Sequence, residues 1–107
     1  MFLKELKDLP QKETFPGYTG RFIHTQNMTF AYWHVKAGSI APEHSHMHEQ
    51  VAQITEGKFI LTVDGHPIEL EPGKVVVIPA NVKHSGIAVT DCQLLDVFSP
   101  VREDYRF

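Results

Sequence analysis

Four side chains able to donate an electron pair to a metal ion stand within seven residues of this chain, His44-Ser45-His46-Met47-His48-Glu49-Gln50. They are His44, His46, His48 and Gln50. A further histidine, His84, follows 34 positions after Gln50, just past Pro79-Ala80-Asn81-Val82-Lys83. Neutral imidazole is the commonest protein ligand for divalent transition metals, and two histidines separated by one residue point the same way from an extended segment. Seven histidines in 107 residues is many, and four of them fall in these two places. The pattern points to a bound divalent ion. By strand alternation His44, His46, His48 and Gln50 share one face and Glu49 points away. Four ligands so close cannot all converge without a bend in the chain.

The elements that must position these groups read as β-strands. Only the start hints at helix: Phe2, Leu3, Leu6 and Leu9 suit one face of a short turn or helix, which Pro10 ends. Strands are expected over 21–26 and 28–36, with Asn27 turning between them, and over 50–55 before the Glu56-Gly57 turn. A strand over 58–63 is joined by Asp64-Gly65, a strong two-residue hairpin signal, to one over 66–70. After the Glu71-Pro72-Gly73 turn, 74–78 carries four consecutive apolar residues, typical of a strand buried on both faces. Strands over 85–89 and 92–98, with Thr90-Asp91 between, complete about eight or more. Short, evenly spaced strands argue for an all-β sandwich or barrel around one core.

Size and charge narrow the function classes. The length suits one domain, 1–107. A net charge of -3 and a pI near 6.1, without a basic stripe, argue against nucleic acid as a partner. No apolar run is long enough to span a bilayer, and the charges in Lys4 and Glu5 break any signal-peptide core, so a cytoplasmic protein with no membrane partner is expected. Cys92 is the single cysteine, which excludes an internal disulfide and reads as a small buried thiol.

Two blocks carry a family resemblance. Gly38, five residues, His44-x-His46, three residues, Gln50, six residues and Gly57 resemble the first cupin motif, over 38–57. Gly73, five residues, Pro79 and then His84 resemble the second, over 73–84. Gln50 stands where many cupins have glutamate, and Asn81 replaces the usual glycine of the second motif while still tolerating a left-handed turn. The resemblance implies a cupin double-stranded β-helix, a jelly-roll barrel, after an N-terminal extension over 1–20. It implies metal ligands His44, His46, Gln50 and His84, and leaves His48 at the pocket rim. Three histidines and an amide are neutral, so the ion keeps its full charge and should attract an anionic ligand. Zinc, nickel, manganese, iron and copper all suit such donors.

The tail Asp96-Val97-Phe98-Ser99-Pro100-Val101-Arg102-Glu103-Asp104-Tyr105 places a carboxylate inside an apolar strand. By alternation Asp96 and Phe98 share one face, and Leu95 and Val97 the other. Asp96 is either surface-facing or an acid or base beside the ion, and Arg102 either clamps a carboxylate at the mouth or pairs with Glu103 or Asp104. This tail, with P-E-H-S-H-M-H-E-Q and P-A-N-V-K-H, resembles the KdgF family of pectin and alginate breakdown, which converts 4,5-unsaturated monouronates to linear ketonised sugars. The resemblance implies Asp96 as general acid/base, Phe98 shaping the pocket and Arg102 holding the uronate carboxylate. Gln53 falls opposite Gln50 by parity, and His34 could enter the barrel mouth. Two other readings stand beside this one: a different metallo-cupin enzyme, dioxygenase or sugar isomerase, and a non-catalytic small-molecule-binding cupin. Small cupins commonly pair, so a homodimer is expected, with Phe2, Leu3 and Leu6 as a contact.

Overall fold

Apolar residues at every second position give most strands one dry face, and the strands stack these faces into one core. The computed structural model describes residues 2–107; Met1, the first residue of the expected domain, lies outside them. Ten strands form: β1 (Lys12–Phe15), β2 (Tyr18–His24), β3 (Thr29–Val35), β4 (Ile40–His44), β5 (Glu49–Glu56), β6 (Phe59–Val63), β7 (His66–Leu70), β8 (Val75–Ile78), β9 (His84–Ala88) and β10 (Cys92–Ser99). They pair antiparallel into a six-stranded sheet, β1-β2-β3-β10-β5-β8, and a four-stranded sheet, β4-β9-β6-β7. Inward residues of both sheets, among them Ala31, Trp33, Val35, Ile54, Phe59, Leu61, Leu70 and Ile78, fill the space between. The expected all-β cupin jelly roll is the fold observed.

Turn chemistry follows the sequence closely. Asp64 and Gly65 both take positive φ, 49° and 77°, the twist a two-residue hairpin needs. Asn81 takes φ 66°, the left-handed position expected of it. At the start, a single 3-10 turn covers Leu6–Asp8.

Three expectations change. The extension over 1–20 is partly sheet: β1 and the first residues of β2 turn at Gly17 and pair within it. β4 adds a strand inside the first motif, where Pro42 and Glu43 hide the alternation. The run at β8 is not buried on both faces. This strand is an edge, paired only with β5, so Ile78 is buried while Val75 and Val77 are 56% and 62% exposed.

Candidate metal centre and its cavity

The ligand cluster forms where the chain crosses between the two sheets. His44 ends β4 and His84 begins β9, directly opposite each other in the four-stranded sheet. The chain then leaves the strand, bends through residues 45–48 and enters the six-stranded sheet as β5. That bend defeats simple parity. It carries His46 back over His44 and His84 and brings Gln50 up from the other sheet. Asn81 N–H donates to the His46 carbonyl at 2.7 Å, tying the second motif to the first. One donor nitrogen from each of His44, His46 and His84 lies within 4.8 Å of the others.

Backbone carbonyls set the tautomers. The Nδ1 atoms of His44, His46 and His84 lie 2.7, 3.0 and 2.9 Å from the carbonyls of Pro42, His48 and Val82. A carbonyl can only accept, so each Nδ1 carries the proton and each Nε2 is left as a lone pair. His84 Nε2 is buried with no hydrogen-bond partner among the described residues. Gln50 Nε2 donates to Asp96 Oδ1 at 2.9 Å, which turns Gln50 Oε1 toward His46 Nε2 at 3.1 Å. Flipping the amide would set its oxygen against a carboxylate oxygen. Two facing acceptors repel unless something positive lies between them, and neighbouring ligands of one ion, at bonds of about 2.1 Å, stand about 3 Å apart. The residues present therefore fit a divalent ion held by three imidazoles and one amide oxygen.

His48 stays outside this cluster. Its Nε2 lies 3.2 Å from the Val101 carbonyl, and its own carbonyl fixes the His46 ring. Burial, with Arg102 and His84 nearby, pushes the pKa of His46 down to about 4. Burial also lowers that of His84. The His46 ring is therefore neutral and ready to bind metal across the mildly acidic and neutral range, and His84 is shifted in the same direction.

Asp96 faces inward and is buried, as alternation with Phe98 requires. Its Oδ1 accepts from Gln50 and its Oδ2 from the Trp33 indole at 3.0 Å. Burial raises its pKa to about 6 against the pull of those two donors and of Arg102. Trp33 is a side chain bonded to the site that the sequence did not single out. Its inward parity was legible, but the strand register that sets it diagonal to Asp96 was not.

Arg102 is buried at the mouth. Its guanidinium carbon lies 4.7 Å from the Phe98 ring centroid and 4.2 Å from that of Tyr105. Of the two readings left open for it, the pairing with Asp104 is observed, and Arg102 also lines the cavity. Burial works against its charge, but the Asp104 carboxylate more than restores it, so its pKa lies above the ordinary value. His44, Gln50, His84, Asp96, Phe98 and Arg102 line one cavity of about 50 Å³. Its other wall is apolar, from Phe59, Leu61 and Leu70.

The remaining candidates lie elsewhere. Gln53 pairs with Leu95 on the outer face of the six-stranded sheet, opposite Gln50. His34 is exposed across from Gln93, away from the mouth, and His66 is exposed on the β6–β7 hairpin. Cys92 is buried, and burial pushes its thiol pKa up, which suits an inert packing residue.

Comparison with known proteins agrees with this geometry. Residues 31–98 match the family model described as a cupin domain. The pectin degradation protein KdgF of Dickeya dadantii is 30% identical over 101 residues, covering 92% of each chain. The structure of KdgF from a Halomonas species superposes with a TM-score of 0.86 at 26% identity, over 92% of each chain. An RmlC-like cupin from Shewanella frigidimarina superposes with a TM-score of 0.92 at 25% identity, over 98% of this chain and 96% of that one.

Proposed function

The chain belongs to the cupin family and is a relative of KdgF, and we propose that it ketonises 4,5-unsaturated monouronates, the products of polyuronate lyases. One observation carries this reading. An ionisable carboxylate, Asp96, stands one amide side chain away from a three-histidine cluster, in a cavity that an arginine also lines. A binding module would need no such carboxylate buried beside its ligands.

The reaction is an isomerisation. The anomeric hydroxyl loses its proton as the ring C–O bond breaks, an enol forms, and the enol becomes a ketone when the neighbouring carbon gains a proton. No atom is lost. Held by His44, His46, His84 and Gln50, a divalent ion would supply a Lewis acid for the oxygen that gathers negative charge. The protein's own groups do the rest. Asp96, with a pKa near 6, can take a hydroxyl proton on one carboxylate oxygen and return one to carbon. The Trp33 and Gln50 donors keep that carboxylate from rotating. Arg102 receives the substrate carboxylate, and the Phe98 ring walls the pocket beneath it.

The test is a proton NMR time course of metal-loaded protein with a 4,5-unsaturated galacturonate monomer. Loss of the vinylic signal faster than in the protein-free control is expected. No acceleration with zinc, nickel, manganese or iron would sink the reading, and oxygen uptake by the iron form would favour a dioxygenase.

We further propose a homodimer through the outer face of the six-stranded sheet rather than through Phe2, Leu3 and Leu6. Ile23, Phe30, Val97, Val51 and Val77 lie in one register row across that face. Six strands at about 4.8 Å spacing and roughly 20 Å of length give a face of about 600 Å², short of the roughly 800 Å² per partner of a standard interface and suited to a weak dimer. Light scattering should report a dimer that Val77→Lys weakens; an unchanged dimer would place the contact elsewhere.

A further inference from the structure

A guanidinium can grip a carboxylate along two edges. One is the side edge, made by Nε and one Nη; the other is the end edge, made by the two Nη groups. In Arg102 the side edge is taken. Nε donates to Asp104 Oδ1 at 2.9 Å and Nη2 to Asp104 Oδ2 at 2.7 Å. The rings of Phe98 and Tyr105 crowd the guanidinium carbon. Neither bond to Asp104 uses Nη1, so Asp104 leaves the end edge free.

The backbone under Arg102 is pinned as well. Arg102 N–H donates to Thr29 Oγ1 at 2.9 Å. His24 Nε2 lies 3.1 Å from the Tyr105 carbonyl, which only accepts, so Nε2 carries the His24 proton. His24 Nδ1 then accepts from the Thr29 hydroxyl at 2.9 Å. Every donor in this chain of bonds has one direction open to it. The segment bearing Arg102, Asp104 and Tyr105 is thereby fastened to β2 and β3.

The Asp104 side chain is 59% exposed, while that of Arg102 is 9% exposed. An ion pair half in solvent contributes little stability. Its consequence is orientation: the Asp104 carboxylate lies outside the barrel and holds the fork from that side. We propose that Asp104 is a positioning residue that fixes the side edge of Arg102 so that its end edge meets the substrate carboxylate. This rests on the reading of Arg102 as the group that receives that carboxylate. Charge alone argues the opposite way, because an Asp104 carboxylate near a bound anion repels it. The sign of the effect therefore separates orientation from simple electrostatics.

The experiment compares wild type, Asp104→Asn, Asp104→Glu and Arg102→Gln, metal-loaded, on unsaturated galacturonate and on its neutral methyl ester. Asp104→Asn is expected to raise KM for the free acid roughly tenfold, short of the roughly 10²-fold that a full 1 Å misplacement can cost, with a smaller change in kcat. It should leave KM for the ester near wild type, and Asp104→Glu should recover most of the loss. A KM for the acid that is unchanged or lower in Asp104→Asn overturns the proposal, and a lower one marks Asp104 as a competitor for the fork. Binding of saturated galacturonate, measured by calorimetry, carries the same comparison if the protein does not turn over the unsaturated sugar. An Arg102→Gln variant with wild-type affinity would overturn both the Arg102 reading and this one, whereas weakened Arg102→Gln beside unaltered Asp104→Asn would remove Asp104 alone.

Discussion

Gln50 joins the two halves of the site through the two ends of one amide. Its nitrogen donates to Asp96 and its oxygen faces His46. Glutamate at this position would lose the donor and set a second carboxylate against Asp96, raising the Asp96 pKa further by like-charge repulsion. It would also cancel one unit of the ion's charge. Gln50→Glu is therefore expected to retain metal, measured by elemental analysis, while KM for the anionic sugar rises and kcat falls; an unchanged KM would count against the charge argument. Asp96→Asn should likewise keep its metal and lose turnover by 10²-fold or more, about the contribution of a general acid/base. Full activity in that variant would remove Asp96 from the mechanism. Histidines and a carboxylate at these positions were legible because motif spacing names residue types directly. Trp33 was not, because an inward tryptophan in a strand reads as core until the facing register shows its N–H on Asp96.

Among the elements, strands with clean alternation were legible, and those defined by their neighbours were not. β10 shows its inner face in Leu94, Asp96 and Phe98 without knowledge of any partner. β8 reads as doubly buried because four apolar residues stand in a row, yet sheet order places it at an edge. Edge position is a tertiary property and leaves no local mark. Turn glycines are local, and Gly57 gives the sharpest test. It takes φ 95°, and a Cβ there would run into the Asp91 carbonyl. The left-handed conformation costs an L-residue roughly 1–2 kcal/mol, and the contact with backbone adds to it because neither side can yield cheaply. Gly57→Ala should lower stability by at least about 2 kcal/mol in urea melts, without touching the cavity. A loss of only a few tenths would mean that the β5–β6 turn relaxes freely.

For the whole molecule, the site writes two opposed charges into the pH dependence of folding. Take the protein stripped of metal by a chelator. Asp96 has its pKa raised from 3.8 to about 6 by burial, so the folded state binds the extra proton in that window. Its contribution is fully present below about pH 4 and is lost as pH rises through 6. His46 has its pKa lowered from 6.5 to about 4, again by burial first, so here the unfolded chain binds the extra proton. Its penalty is greatest in acid and disappears as pH rises toward 6.5. The signs oppose, so much of the slope cancels. His84, lowered in the same direction as His46, leaves a net gain in stability with rising pH. Asp96→Asn deletes one side of this balance. The metal-free variant should therefore gain stability between pH 4 and 6.5 more steeply than metal-free wild type, read from thermal melts at matched ionic strength. Parallel curves would mean that Asp96 titrates at an ordinary carboxylate pKa, and that it is not held as a proton reserve at the base of the cavity. Adding zinc or nickel should raise the melting temperature of both proteins, because an ion bound only by the folded state stabilises it by mass action, and it should do so least below about pH 4, where His46 must first release its proton.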